Sequence, residues 1–181
     1  MTYFVASDLH GSAYWTEKLF EKFDASGAQK IILAGDLLYH GPRNDLPKEY
    51  DTKRVAKILN EHKQHIYTVK GNCDGEVDQM VLDFPCLANY AIFELGGRRF
   101  YLTHGHHENP ENLPPLLDGE VFIYGHTHIP MAEKRAGNYM LNPGSVSLPK
   151  GGYANSYAIL EDETFRIIDF EGCTIKEICF E

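Results

Sequence analysis

Long apolar runs are missing from this sequence of 181 residues. No stretch reaches the roughly 20 residues that a membrane-spanning helix requires. No basic leader followed by an apolar segment precedes Ser7-Asp8, so the sequence has no sign of a secretory signal peptide. We therefore expect a cytoplasmic protein without a membrane partner.

Cysteine and positive charge are also scarce. The four cysteines include no C-x-x-C pair, and nothing suggests a disulfide framework. Lys and Arg number 17 against 26 Asp and Glu, which gives a formal net charge of −9. Because non-specific affinity for nucleic acid comes from phosphate neutralisation by Lys and Arg, we expect no long nucleic acid as a partner.

The remaining composition is typical of a globular protein. Hydrophobic residues make up 43% and charged residues 24% of the chain. The length suits one domain with a sizeable core, and no repeat or linker interrupts it. We predict a single domain over residues 1–181.

Strand and helix patterns alternate in the first half of the chain, and strands dominate the second half. Helices are predicted from Ser12 to about Ser26 and from Thr52 to about His62. Strands are predicted at Tyr3–Ala6, Ile31–Ala34, Ile66–Val69, Tyr90–Leu95, Arg98–Thr103, Val121–Tyr124, Tyr139–Asn142, Tyr157–Leu160 and Phe165–Phe170. This order predicts an α/β layered sandwich with mixed sheets.

Polar side chains that can bind metal ions follow five of these strands. The carboxyl ends of strands in open α/β sheets converge on one crevice, so we expect these side chains to meet. Carboxylates supply charge and can bridge two cations, and neutral imidazoles suit borderline transition metals. The candidate ligands are Asp8, His10, Asp36, Asn72, His104, His126 and His128.

In chain order, these turns resemble the five-part signature of the calcineurin-like metallophosphoesterases. The matching segments are Asp8-x-His10, Gly35-Asp36, Gly71-Asn72, His104-Gly105-His106 and Gly125-His126-x-His128. The run Asn142-Pro143-Gly144-Ser145-Val146-Ser147 extends the match. Its length and the segments 40–44 and 71–74 make the chain most similar to the small bacterial YfcE-type phosphodiesterases. The resemblance implies a four-layer α/β/β/α sandwich with two mixed β-sheets.

The resemblance also implies how the ligands are divided between two cations. Asp8, His10 and His128 would hold the first, Asn72, His104 and His126 the second, and Asp36 would bridge both. We expect Mn²⁺, with Fe, Zn and Ni as alternatives. Two cations about 3.5–4 Å apart can activate a shared water, so the expected reaction is direct attack of the resulting hydroxide on a small phosphate diester. Asp36 and Asn72 are the predicted catalytic residues.

Three further residues are candidates for substrate binding. Arg43 can hold a phosphate oxygen through charge-assisted bonds or be an ordinary surface arginine. His106 either lines the cleft or is simply solvated. Cys73 stands where many larger relatives have a histidine thought to assist the leaving group, and it is otherwise a small buried residue. A thiol is a poor acid for that task, which predicts a preference for diesters over alkyl monoesters.

Other functions stay open at this point. A phosphomonoesterase of the same fold is disfavoured by Cys73. A non-catalytic binding scaffold, as in the retromer-type relatives of the family, is disfavoured by the complete ligand set. A nuclease of the superfamily is disfavoured by the acidic charge balance. The sequence names neither the physiological substrate nor the native metal, and it leaves a homo-oligomer open.

Overall fold

The computed structural model of the protein describes residues 2–181. These residues contain three α-helices, α1 Ala13–Ser26, α2 Thr52–Glu61 and α3 Glu76–Gln79, and a 3₁₀ helix at Lys63–His65. The strands are β1 Tyr3–Ala6, β2 Lys30–Leu33, β3 Ile66–Thr68, β4 Tyr90–Leu95, β5 Arg98–Thr103, β6 Val121–Ile123, β7 Met131–Arg135, β8 Asn138–Asn142, β9 Ser156–Leu160, β10 Thr164–Asp169 and β11 Thr174–Cys179. No helix in the described part of the chain has both the length and the apolar character needed to cross a membrane.

The strands form two mixed sheets. The first has six strands in the order β11-β10-β9-β1-β2-β3, and the second has five in the order β4-β5-β6-β8-β7. Strands β1, β2 and β3 run parallel, as do β5, β6 and β8. The predicted α/β fold class with two mixed sheets is therefore confirmed.

Local sequence signals set several element boundaries. The Ser12 side chain caps α1 by accepting a hydrogen bond from the backbone N–H of Trp15 at 3.4 Å. Gly27 ends that helix in the left-handed conformation, with φ 71°. Gly96 and Gly97 both have positive φ, at 59° and 74°, as a tight hairpin between β4 and β5 requires.

Two strands that the sequence analysis did not predict lie at sheet edges. Strand β7 carries Glu133, Lys134 and Arg135, and its residues are exposed or half-buried. The residues of strand β11 are likewise exposed or half-buried. Because charged edge strands do not show an apolar pattern, periodicity alone misses them. The short helix α3 was missed as well, since four residues show no helical periodicity.

Buried side chains form three layers around the sheets. Helices α1 and α2 cover one face of the first sheet, where Phe4 and Leu33 meet Leu59 in one apolar cluster. A second cluster, which includes Val5 and Phe100, fills the space between the two sheets. On the outer face of the second sheet, Leu116 from the irregular segment after β5 packs against Phe122, Tyr124 and Met140. The polar turns at the strand ends thus extend from sheets whose faces are packed with buried side chains.

Candidate active site

Five of the seven predicted ligands have a left-handed backbone, which non-glycine residues rarely adopt. Their positive φ angles are 59° at Asp8, 47° at His10, 55° at Asp36, 64° at His126 and 60° at His128. Such conformations cost of order 1–3 kcal/mol each and persist only where the surrounding structure enforces them. Their concentration in the predicted ligand turns indicates a functional site.

Asp8, His10 and His128 form the first group of possible ligands. The three side chains are buried, and their ligand atoms lie within 4.8 Å of one another. The Nε2 atoms of His10 and His128 are 3.2 Å apart, and Asp8 Oδ1 lies 3.1 Å from His128 Nε2. Asp8 Oδ1 is buried without a well-formed hydrogen bond to any of the described residues. A cation fits this arrangement, because buried acceptor atoms converge there without donors.

Backbone carbonyl groups orient three of the histidine rings. The Nδ1 atom of His10 bonds Tyr39 O at 2.9 Å, that of His104 bonds Ala34 O at 2.6 Å, and that of His128 bonds Leu148 O at 2.5 Å. A carbonyl can only accept, so each bond places a proton on Nδ1. In a neutral ring Nε2 is then the free acceptor, which is the arrangement of a metal-ligating histidine.

Asp36 lies between the first group and a second one. Its Oδ2 atom is 3.6 Å from His10 Nε2 and 3.4 Å from His104 Nε2. Asn72 Oδ1 lies 3.1 Å from His104 Nε2, so the Asn72 side chain joins the same second group. Cys73 N–H donates to the other carboxylate oxygen, Asp36 Oδ1, at 2.8 Å. This position suits the predicted bridging role of Asp36.

His126 lies beside these groups in a less enclosed position. Its backbone N–H donates to Asp8 Oδ2 at 3.0 Å, and its ring centroid is 5.1 Å from that of His104. The ring is half-buried. The structure therefore brings His126 to the edge of the cluster, and none of the tightly spaced groups of possible ligands among residues 2–181 includes it. All seven predicted ligands therefore lie close together in space, although they are spread along the chain from residue 8 to residue 128.

The charges of the cluster perturb one another. Burial alone would raise the pKa of Asp8, but the adjacent rings of His10 and His128 hold it well below its usual range. Burial would lower the pKa of His104, but the carboxylates of Asp36 and Asp8 raise it to about 9. Without metal ions, the site therefore stabilises a proton on His104 opposite the two acidic groups.

Asp74, which the sequence analysis did not single out, fastens two ligand turns together. Its buried carboxylate accepts hydrogen bonds from the backbone N–H groups of Asp36 and Leu37, both at 2.8 Å, and of Gly71 at 2.7 Å. The two turns pack so closely that a Cβ atom at Gly71 would lie 2.0 Å from Asp36 Oδ1. The sequence offered one indication of this role, because Asp74 is an acidic residue two positions after the candidate ligand Asn72.

The turn after β8 holds the backbone of Asp8. The hydroxyls of Ser145 and Ser147 each donate to the Asp8 carbonyl at 3.0 Å. The Asn142 side chain donates to Gly125 O at 2.8 Å and so reaches the turn that carries His126. These residues are buried, so they position ligands and do not line an open cleft.

A polar cavity of about 790 Å³ opens beside the cluster. Arg43 and Cys73, two of the predicted substrate-binding residues, line it together with Lys150. His106 instead lines an adjoining cavity of about 320 Å³ that shares His126 with the first. Burial and the charge of Asp36 raise the pKa of the Cys73 thiol to about 12. The geometry suits an anionic ligand next to the cluster, with the thiol protonated.

Comparisons with known proteins point to one family and one fold. The family model described as "Calcineurin-like phosphoesterase superfamily domain" matches residues 1–164. The chain is 50% identical to "Phosphodiesterase YfcE" of Escherichia coli over 163 residues, which cover 90% of this chain and 89% of that protein. It is 34% identical to "Probable metallophosphoesterase YsnB" of Bacillus subtilis, with 98% of this chain and 96% of that protein covered. A solved structure of the E. coli phosphoesterase Yfce superposes over 100% of both chains with a TM-score of 0.98 and 45% identity.

Proposed function

Because the chain belongs to the calcineurin-like phosphoesterase superfamily, we propose that it is a metal-dependent phosphodiesterase that hydrolyses small phosphate diesters at a two-cation centre. The observation that carries the proposal is the convergence of buried acceptor atoms, above all Asp8 Oδ1 and the Nε2 atoms of His10 and His128. The 50% identity to a phosphodiesterase supports the diester reaction.

The chain's own residues would share the task as follows. Asp8, His10 and His128 would hold one divalent cation, His104, Asn72 and His126 the other, and Asp36 would bridge them. When bound, the cations supply activation of the attacking water and neutralisation of phosphate charge. Mn²⁺ is our first choice because a mixed nitrogen and oxygen ligand set accepts it.

Positive side chains in the polar cavity would bind the substrate. Arg43 and Lys150 line that cavity, so their charges can meet the non-bridging phosphate oxygens. No covalent intermediate is required, and the Cys73 thiol is a poor nucleophile because its pKa is raised to about 12. We expect rapid-quench experiments to recover no phosphorylated protein during turnover.

Cys73 also supports the preference for diesters. General acids work best when their pKa lies near the operating pH, and a thiol with a pKa of about 12 is far from it. A leaving group of high pKa would then depart slowly. Cys73→His is therefore expected to raise turnover of an alkyl phosphomonoester by about tenfold or more, because it supplies a suitable acid. Unchanged monoester turnover in a metal-loaded, folded variant would count against this role.

An activity screen tests the proposed function. The protein is stripped of metal, reloaded with Mn²⁺, and offered bis(4-nitrophenyl) phosphate and 4-nitrophenyl phosphate. We expect faster hydrolysis of the diester, and loss of activity in Asp36→Asn. Asp45→Asn is the matched control, since Asp45 is an exposed carboxylate in the loop that follows Asp36. Faster hydrolysis of the monoester would favour a phosphomonoesterase.

A further inference from the structure

A second cavity, about 760 Å³ in volume, lies between α2 and the segment that carries α3. Its lining is mostly apolar and includes Tyr39, Tyr50, Ala56, Val77 and Val81. Val77 and Val81 are exposed at 71% and 48%, although such side chains are usually buried. Cavities of about 300–1,000 Å³ with apolar walls are typical of small-molecule sites. We call this cavity the apolar groove.

The apolar groove adjoins the polar cavity through one residue. Tyr39 lines both, and its side chain is 42% exposed. The Tyr39 carbonyl accepts a hydrogen bond from His10 Nδ1 at 2.9 Å, so its backbone lies directly behind a predicted metal ligand. Tyr39 follows Asp36 by three positions, which limits the distance between their Cα atoms to about 11 Å. A group attached to phosphorus in the polar cavity is therefore within reach of the Tyr39 ring.

The two cavities offer different chemistry. Arg43 and Lys150 give the polar cavity positive charge. The lining of the apolar groove also includes charged residues of both signs, among them Lys57 and Asp78, which favour no particular ionic ligand. A phosphate diester with an aromatic ester group matches both cavities, because its charged phosphate suits the polar cavity and its aromatic group suits the apolar groove.

We propose that the apolar groove is a subsite for an aromatic ester group of the substrate, namely the group that stays on phosphorus. The inference rests on the proposed function and adds the substrate class to it, an aryl-substituted phosphate diester. Binding of a part that does not react can hold phosphorus in place for attack. The Tyr39 ring, which lines the apolar groove and is 42% exposed, can contact the aromatic ring.

Two substrates that release the same product test the subsite. Methyl 4-nitrophenyl phosphate and 2-naphthyl 4-nitrophenyl phosphate both release 4-nitrophenol and differ only in the retained group. In Tyr39→Ala and Val81→Asp we expect the ratio of the naphthyl KM to the methyl KM to rise by about threefold to tenfold, as the loss of an aromatic contact predicts. The Tyr39 substitution keeps the carbonyl that orients His10.

Met80→Asp is the matched control for Val81→Asp. Met80 is 82% exposed and adjacent to Val81, but it does not line the apolar groove. The KM ratio should stay unchanged in this variant. An unchanged ratio in both groove variants, or an equal rise in the ratio in Met80→Asp, would overturn the subsite.

A binding measurement separates this inference from the proposed function. We expect 2-naphthol, added to metal-free protein, to shift the backbone amide resonances of Ala56, Val77 and Val81, and to do so less in Val81→Asp. Absence of these shifts would overturn the subsite even if both diesters are hydrolysed. Failure of the wild-type protein to hydrolyse either diester would overturn the proposed function itself, whatever the naphthol result.

Discussion

Replacing Asp74 by asparagine tests how the two ligand turns are held together. Oδ2 of Asp74 accepts hydrogen bonds from the backbone N–H groups of Asp36 and Gly71, and Oδ1 accepts one from Leu37. An asparagine has only one acceptor oxygen. If that oxygen replaces Oδ2, the amide –NH₂ faces the N–H of Leu37, and a buried donor is left unpaired at a cost of about 1–3 kcal/mol.

An opposing effect reduces this loss. Burial and the nearby charge of Asp36 raise the pKa of Asp74 to about 6, so the native carboxylate is less stable than a free one, although it is still the main form at neutral pH. Removing its charge relieves that repulsion. We therefore expect the free energy of unfolding of the metal-free protein to fall by only about 1 kcal/mol. The displaced turns should matter more for metal binding, which we expect to weaken by about 10-fold to 100-fold.

Titration calorimetry with Mn²⁺ measures this change, and denaturant unfolding of the metal-free variant shows that it folds. Asp83→Asn serves as the control, because Asp83 is an exposed carboxylate that pairs with Lys63 at 3.1 Å, on the surface. Wild-type metal affinity in a folded Asp74→Asn protein would refute the reasoning.

Three further perturbations follow from the same contacts. His104 has a raised pKa of about 9, so the metal-free fold retains a proton that the unfolded chain releases near pH 6.5. The free energy of unfolding should therefore decrease by about 3 kcal/mol or less between pH 6.5 and 9. A free energy of unfolding that stays constant over this pH range in denaturant titrations would contradict this prediction. Ser147→Ala removes one of two hydroxyl donors to the Asp8 carbonyl and should cost about 1 kcal/mol in the same assay, whereas an unchanged midpoint would show that Ser145 suffices. Phe100→Ala leaves a cavity at a fully buried position between the sheets and should lower the free energy of unfolding by about 3–5 kcal/mol. A decrease below about 1 kcal/mol would contradict this prediction.

The sequence predicted the parts of the fold that have local signals. The helix predicted from Ser12 to about Ser26 is α1, which Ser12 caps and Gly27 ends, and Gly96-Gly97 forms the hairpin turn. The edge strands β7 and β11 lacked such a signal, because their pairing partners decide their conformation. Sheet order was likewise set by contacts between residues distant in the chain.

The ligands of the candidate site were predictable from the sequence, but the hydrogen bonds that hold the ligand turns in place were not. The ligand turns could be read from strand ends such as Asp8 and Asp36, because strand direction brings them to one edge. The contacts of Asp74 with Gly71 and of Ser147 with Asp8 depend on how separate turns pack, and a single sequence does not encode them visibly. The apolar groove arises in the same way, from the placement of α2 beside Val77 and Val81.

The most direct test of the account is anomalous diffraction from crystals of the Mn²⁺-loaded protein, collected on both sides of the manganese absorption edge. We predict two manganese peaks, one on each side of the Asp36 carboxylate, the first beside Asp8, His10 and His128 and the second beside His104 and Asn72. One peak, or peaks away from Asp36, would contradict the two-cation centre.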